Sequence, residues 1–289
     1  MKPPDFTYHA PETLEQALSL LASLDNARLL AGGQSLMPML TMRFAFPDHV
    51  IDLNRVAGLA GITQTGDTLR IGAMTRQRDL LDHPFVQQKI PLLAQALALI
   101  GHRQTRNRGT IGGSLCHLDP AAELVSVMTA LGATIEIAGP NGPRDVAMAD
   151  FPLGYMTPSL APDELVTAVH LPVPPPGHGA SFLEFSRRHG DFAIVSAAVM
   201  LTRHSSGHLA DAVITLGGVG PVPLRLAKAE ALLAGQTPTP DLFTQAACLA
   251  REIDAMEDAQ IPAWYRRRLA ESLTRRALTA AHQSLPGAA

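Results

Sequence analysis

Leu14, Ala17, Leu18 and Leu21 recur at three- and four-residue steps, and polar residues fill the positions between them. This period predicts a helix over residues 13 to 24, with Thr13 as its cap and Gln16 completing a capping box. Residues 27 to 31 form a short apolar run, read as a buried strand, and His49 to Leu53 is a second one. The segment from Gly61 to Gly72 reads as a hairpin turning at Gly66-Asp67, and Ile90 to Ile100 as an apolar helix. Asp119-Pro120 is expected to open the next helix, with Asp119 at the cap, Pro120 in the first helical position and Glu123 in the first turn, running to about Leu131. A strand from Thr134 to Ala138, an Asn141-Gly142 turn and a strand from Leu165 to Leu171 follow.

Pro172-Val173-Pro174-Pro175-Pro176-Gly177 interrupts this pattern, since prolines at this density exclude helix and favour an extended linker. Three strand-like runs lie beyond it (Ala180 to Phe185, Ala193 to Thr202, Leu209 to Leu216), then three helical runs (Pro223 to Ala234, Asp241 to Ile253, Ala263 to Ala281). The last carries Tyr265, Leu269, Leu273 and Ala277 as an apolar stripe, with Arg266, Arg267, Arg268, Arg275 and Arg276 expected on its polar side. The C-terminal third therefore reads as a small antiparallel sheet backed by helices, and the whole chain as α+β, without a regular βαβ alternation.

Composition adds exclusions. The 289 residues are 46% hydrophobic, enough for a sizeable core, and the net charge of −3 gives no electrostatic footprint for nucleic acid. No apolar run approaches the ~18 residues of a membrane span, and residues 1 to 6 have no apolar signal core. The only cysteines, Cys116 and Cys248, form no CxxC pattern, which argues against iron–sulfur or zinc ligation and fits a reducing cytoplasm, with a disulfide between them left open.

Two glycine-bearing segments carry the candidate chemistry. The first is Leu29-Leu30-Ala31-Gly32-Gly33-Gln34-Ser35-Leu36; the second runs through Thr110-Ile111-Gly112-Gly113-Ser114 to His117, Asp119 and Pro120. Read as loops, both let the backbone approach a ligand and aim N–H groups at an anion, although a tight turn also explains a single Gly-Gly. As a pair they suggest a ligand with more than one phosphate, and pyrophosphate is common to the large redox cofactors. Neither is a P-loop or a GxGxxG fingerprint. His102, Arg103, Arg106 and Arg108 form a basic cluster ahead of the second segment, open to phosphate, a partner or solvent. Cys116 reads as a small buried hydrophobe. No GxSxG, HExxH or other catalytic constellation is visible, as expected where a cofactor supplies the chemistry.

Ala31 to Leu36, Asn107 to Ser114 and His117 to Glu123 resemble the FAD-binding subunit of molybdenum hydroxylases, in particular the medium subunit of aerobic carbon monoxide dehydrogenase; Phe185 to Val195 and Leu216 to Arg225 add to the likeness, which spans essentially the whole chain. The resemblance implies a two-part FAD-binding domain of the vanillyl-alcohol-oxidase (PCMH) type over residues 1–176, with subdomains of about 1–56 and 57–176, and a C-terminal flavoprotein domain over 177–289. It implies that residues 29–36 and Thr110, Ile111, Gly112, Gly113 and Ser114 wrap the pyrophosphate. It adds Ile100, His117, Asp119 and Glu123, the last an acidic position often Asp in relatives, and one of Leu165 or Val166 near the isoalloxazine. Phe182, Arg188 and Asp191 belong to the flavin's surroundings. A lysine near the flavin of animal xanthine dehydrogenases corresponds to about Leu183. The implied role is electron transfer from a partner's [2Fe-2S] cluster into FAD and onward. The implied partners are a molybdopterin-binding large subunit and an iron–sulfur small subunit, in a dimer of heterotrimers that is cytoplasmic or peripheral to a membrane through the complex. A stand-alone flavoprotein oxidoreductase and a FAD-free assembly subunit are the rival readings. The substrate (CO, a purine, an N-heterocycle or an aldehyde) stays open, as does the acceptor, with no NAD motif visible.

Overall fold

The computed structural model describes residues 2–287. Its N-terminal part begins with β1 (Thr7–His9), α1 (Leu14–Ser23), β2 (Ala27–Leu30), α2 (Leu36–Thr41) and β3 (His49–Asp52). The three strands form a parallel sheet in the order β1-β3-β2. Thr13 Oγ1 caps α1 by accepting from Gln16 N at 3.2 Å, while Gln16 Oε1 returns to Glu12 N, one residue before the position a capping box requires.

The next part contains β4 (Ile62–Thr65), β5 (Thr68–Gly72), α3 (Gln77–Leu81), α4 (Pro84–Lys89), α5 (Pro91–Leu99), α6 (Arg103–Arg108), α7 (Ile111–His117), α8 (Glu123–Ala130), β6 (Thr134–Gly139), β7 (Gly142–Ala147), β8 (Pro152–Gly154), β9 (Thr157–Pro158) and β10 (Leu165–Pro172). Strands β4-β5-β10-β6-β7 make an antiparallel sheet, and the almost wholly apolar α5 and α8 sit in the core it covers. The hairpin does turn at Gly66, in the left-handed region with φ +57°. A smaller core under α1 gathers Ala17, Leu21, Ile51 and Leu53, and takes in Met74 and Leu165 from the five-stranded part.

After the Pro-rich segment come β11 (Gly179–Phe185), β12 (Val195–Arg203), β13 (Leu209–Gly217), β14 (Leu224–Arg225), α9 (Ala227–Leu233), α10 (Pro240–Cys248) and α11 (Ala263–Gln283). The four strands are antiparallel and consecutive. One face of this sheet (Val195, Ala197, Val199, Leu201, Ile214, Leu216) packs on the three helices. The other, with Ala180, Phe182, Ala198 and Val213, joins the core of the N-terminal half. Both faces are therefore buried.

The structure corrects several expectations. The second glycine segment is the first turn of α7, because Thr110 Oγ1 accepts from Gly113 N and caps a helix there. Asp119 and Pro120 precede α8 instead of opening it: Leu118 leaves α7 at φ +50°, Asp119 Oδ1 takes Ala121 N, and Pro120 O is committed to Gly218 N at 2.8 Å. The run from Pro223 divides into β14 and α9 because Leu224 and Arg225 pair with β13. The run from Asp241 ends as α10 at Cys248 and continues as a 3-10 turn, Leu249–Glu252. The buried face of α11 is rotated from the stripe read in the sequence: Leu273 and Ala277 lie on it, together with Arg266, Ala270, Thr274, Leu278 and Ala281. Arg266 is thus buried, not solvated; it donates to Ile194 O and Gly218 O at 2.7 and 2.6 Å and pairs with Asp258. Cys116 and Cys248 are both free thiols.

Candidate functional site

The first glycine segment links β2 to α2. Gly33 turns the chain at φ +74°, and Met37 N closes onto Gly33 O at 3.2 Å. The backbone N–H groups of Gly32, Gly33, Gln34, Ser35 and Leu36 donate to no protein acceptor among the described residues. Consecutive free N–H groups on a turn entering a helix form a concavity that suits an anion. Leu29 and Leu30 are half-buried on the strand that feeds it, and Ala31 and Ser35 are half-buried within it.

The second segment meets the first directly. A Cβ on Gly32 would lie 2.3 Å from Arg108 O and 2.8 Å from Gly109 Cα, and one on Gly113 would lie 3.2 Å from Ala31 Cβ. The segment does not aim free N–H groups outward. Ile111 N is spent on Thr75 O, Gly112 N on Ala73 O at 2.9 Å, Gly113 N on the Thr110 hydroxyl and Ser114 N on Thr110 O. Its contribution is close backbone approach and the half-buried Ser114, while the donors come from the first segment. Gly112 sits against Ala73, where a Cβ would come within 2.6 Å of the Ala73 Cβ.

Two residues that the sequence reading missed brace this junction. Asn54 Nδ2 donates to Ala31 O at 2.9 Å, and Arg76 reaches Asn54 Oδ1 with one guanidinium nitrogen and Arg108 O with the other. Neither sits in a motif, and no spacing rule marks them. The basic cluster is α6, and Arg106 is already committed to Ile100 O and Gly101 O at 2.8 and 3.2 Å.

Beyond α7 the site becomes acidic. Glu123 lies in the first turn of α8, 3% exposed. Burial, reinforced by Glu184 and Asp119 nearby, pushes its carboxyl up to about 8. Burial also holds the His117 imidazole below its usual range, partly offset by Asp119. Phe182 and Val166 are buried in the main core, whereas Leu165 enters the smaller core under α1. Leu183 packs against the helix-side core, so on the opposite face of β11 the neighbouring side chain turned toward α8 is Glu184.

Arg188 and Asp191 stand apart from the glycine segments. They line a cleft of about 540 Å³ with Arg187, Asp258, Gln260 and Arg266. Their loop nevertheless touches the Ile100 end of α5: a Cβ on Gly190 would lie 2.5 Å from the His102 ring, and the His102 and His189 rings are 5.9 Å apart. Among the described residues no group of three His, Cys, Asp or Glu side chains is arranged to hold a metal.

Residues 4–174 match the family described as the FAD binding domain in molybdopterin dehydrogenase, and residues 180–281 match the CO dehydrogenase flavoprotein C-terminal domain. The chain is 40% identical over 289 residues to the 6-hydroxypseudooxynicotine dehydrogenase complex subunit alpha of Paenarthrobacter nicotinovorans, covering 99% of this chain and 98% of the relative. Among solved structures, carbon monoxide dehydrogenase from Hydrogenophaga pseudoflava contains a chain that superposes with a TM-score of 0.95 at 40% identity, covering 99% of this chain and 100% of that one. Quinoline 2-oxidoreductase from Pseudomonas putida 86 gives 0.94 at 36% identity, covering 98% and 99%.

Proposed function

The chain belongs to the family of FAD-binding medium subunits of molybdenum hydroxylases, and from that membership we propose how its own residues hold the cofactor. It is the flavoprotein component of a multi-subunit oxidoreductase, and molybdenum and iron–sulfur centres belong to partner subunits. FAD accepts electrons one at a time from an iron–sulfur cluster and releases them singly or in pairs. The residues present fit its pyrophosphate: the five N–H groups at Gly32 to Leu36, which have no protein acceptor among the described residues, form the anion cradle; Arg108 and Gly109 close on it without room for a Cβ at Gly32, and Gly113 packs against Ala31. That cradle is the observation that carries the assignment. Ile100, His117, Asp119, Glu123, Leu165, Val166, Phe182, Arg188 and Asp191 complete the proposed surroundings.

We divide the chain at the Pro-rich segment, into 1–176 and 177–289, with a further division near residue 56. The two family matches, which end at 174 and begin at 180, support the first boundary, and the separate core under α1 supports the second. The proposed assembly is a dimer of heterotrimers with a molybdopterin-binding large subunit and an iron–sulfur small subunit. We take it to work in the cytoplasm, reaching a membrane only as a complex; the two free thiols fit a reducing compartment, and no helix among the described residues is long and apolar enough to cross a membrane. Relatives of similar identity are named for a pseudooxynicotine, carbon monoxide and quinoline, which supports leaving substrate choice to the molybdenum subunit.

The test is a visible absorption spectrum of the purified chain before and after FAD, followed by desalting. Retained flavin bands are expected, and Gly33→Val and Gly112→Val should abolish them. A complex co-expressed with its large and small subunits that remains free of flavin would overturn the assignment.

A further inference from the structure

The face of the C-terminal sheet that meets the N-terminal half is apolar at one end and polar at the other. Ala180 pairs with Met200 and Phe182 with Ala198, but the next pair along β11 and β12 is Glu184 with Ser196, and Ser196 pairs in turn with Gly217 on β13. Paired residues share a face of the sheet. This polar end lies against α8, because a Cβ on Gly217 would meet both Ser126 Oγ at 2.3 Å and Ser196 Oγ at 2.5 Å. Glu123 is three residues before Ser126, on the same side of the helix. Ser126, Ser196 and Thr215 are wholly buried. The hydroxyls of all three, and Glu184 Oε2, have no hydrogen-bond partner among the described residues. Four such atoms from four elements in one seam are too costly to be incidental, since buried polar groups almost always find a partner. A proton held on a carboxyl and shared with these hydroxyls would provide one.

We propose that Glu184 is a positioning residue for the cofactor site: across this seam it shares protons with Glu123 through the Ser126, Ser196 and Thr215 hydroxyls, and so sets the charge that Glu123 presents to the flavin. The inference rests on the assignment of Glu123 to the FAD site made above. Burial pushes Glu184 up to about 7 and Glu123 to about 8, the latter raised further by Glu184 and Asp119. The other titratable or charged groups on neighbouring elements are Cys116 and His117 on α7, Asp119 on the turn before α8, and Arg266 of α11, buried beside Gly218 on the opposite face of the sheet; α5 carries none, Asp211 of β13 shares the seam's face only at its exposed far end, and Arg203 of β12 is bonded to Pro286 O. Loss of the Glu123 proton places a negative charge beside the cofactor, which makes electron uptake harder and lowers its midpoint potential.

The experiment measures the FAD midpoint potential of the intact complex from about pH 6 to about pH 9, which brackets the two carboxyls. Infrared titration of the carboxylic-acid bands is run alongside on flavin-loaded and flavin-free protein. Wild type should show an extra fall in potential as the pair ionises. In Glu184→Gln that fall should move down by roughly one pH unit, the coupling at which two sites titrate as a pair. In Glu123→Gln it should vanish, leaving one acid band. Flavin-loaded Glu184→Gln with a wild-type potential curve and an unmoved Glu123 band would overturn this inference and leave the FAD assignment intact. Normal acid bands in a complex that takes up no FAD would overturn the assignment, and the cofactor role of Glu184 with it.

Discussion

Gly32→Ala tests the junction of the two glycine segments. The added methyl would stand 2.3 Å from Arg108 O, and its next neighbour, Gly109 Cα, is also backbone, so neither can rotate away. Ordinary contact begins near 3.4 Å, and 3.4 − 2.3 leaves about 1.1 Å by which the segments must separate. Overpacking of this kind costs about 1–3 kcal/mol. Because the strain falls on the cradle itself, most of it should appear as lost cofactor affinity, about 5- to 150-fold at 1.4 kcal/mol per tenfold. Titration of apo-protein with FAD, followed by quenching of flavin fluorescence, measures this directly. Gly235→Ala is the control: its φ of +74° also strains a side chain, but nothing lies within 4 Å of the added atom, so stability should fall slightly and FAD affinity should not. If Gly32→Ala binds FAD as tightly as wild type, the two segments do not form one cradle.

Arg266→Met should cost about 3 kcal/mol in urea unfolding, because it strands the buried carbonyls of Ile194 and Gly218; a midpoint within error of wild type would contradict that role. Burial works against ionisation of Glu136, yet Arg70, Thr167 and His170 hold its carboxyl down to about 2. Its folded value lies below its unfolded one, so its stabilisation is present above about pH 5 and is lost as pH falls toward 2. Glu136→Gln should therefore flatten the acid limb of the stability–pH curve, read from urea midpoints across that window. Burial pushes the Cys116 thiol up to about 12, whereas Cys248 is exposed. An aromatic disulfide reagent at mildly alkaline pH should titrate one thiol per native chain and two after denaturation.

Elements with a strong period or distinct punctuation were readable from sequence. These include α1 and α5, the hairpin at Gly66 and the three long C-terminal strands, each bounded by polar or glycine residues. Short elements whose structure depends on tertiary partners were not. β1 exists because Thr7, Tyr8 and His9 pair with β3, and α6 because Arg106 folds back on Ile100 and Gly101. Adjacent glycines suggested an open loop at Gly112-Gly113, but a helix tolerates them where close packing on Ala73 and Ala31 requires the missing Cβ. The glycine segments pointed to an anion, yet the sequence could not tell which supplies the donors, since that depends on Thr75 and Ala73 taking the N–H groups of α7. Asn54, Arg76 and Glu184 had no local signature, because each acquires its place only through contacts between distant parts of the chain.

The C-terminal sheet is covered on both faces, and one cover belongs to the other half of the polypeptide. A scissile site opened at Pro175-Pro176, in the turn that His178 N closes onto Pro175 O, should leave two fragments that co-purify, since Phe182, Ala198 and Val213 cannot be released to water without losing the surface they pack on. Expressed separately, each fragment would present a sticky slab and aggregate; mixed, they should reconstitute. On that expectation the proline-rich connection is a tether that the packed halves can do without, which makes the chain suited to split-protein complementation.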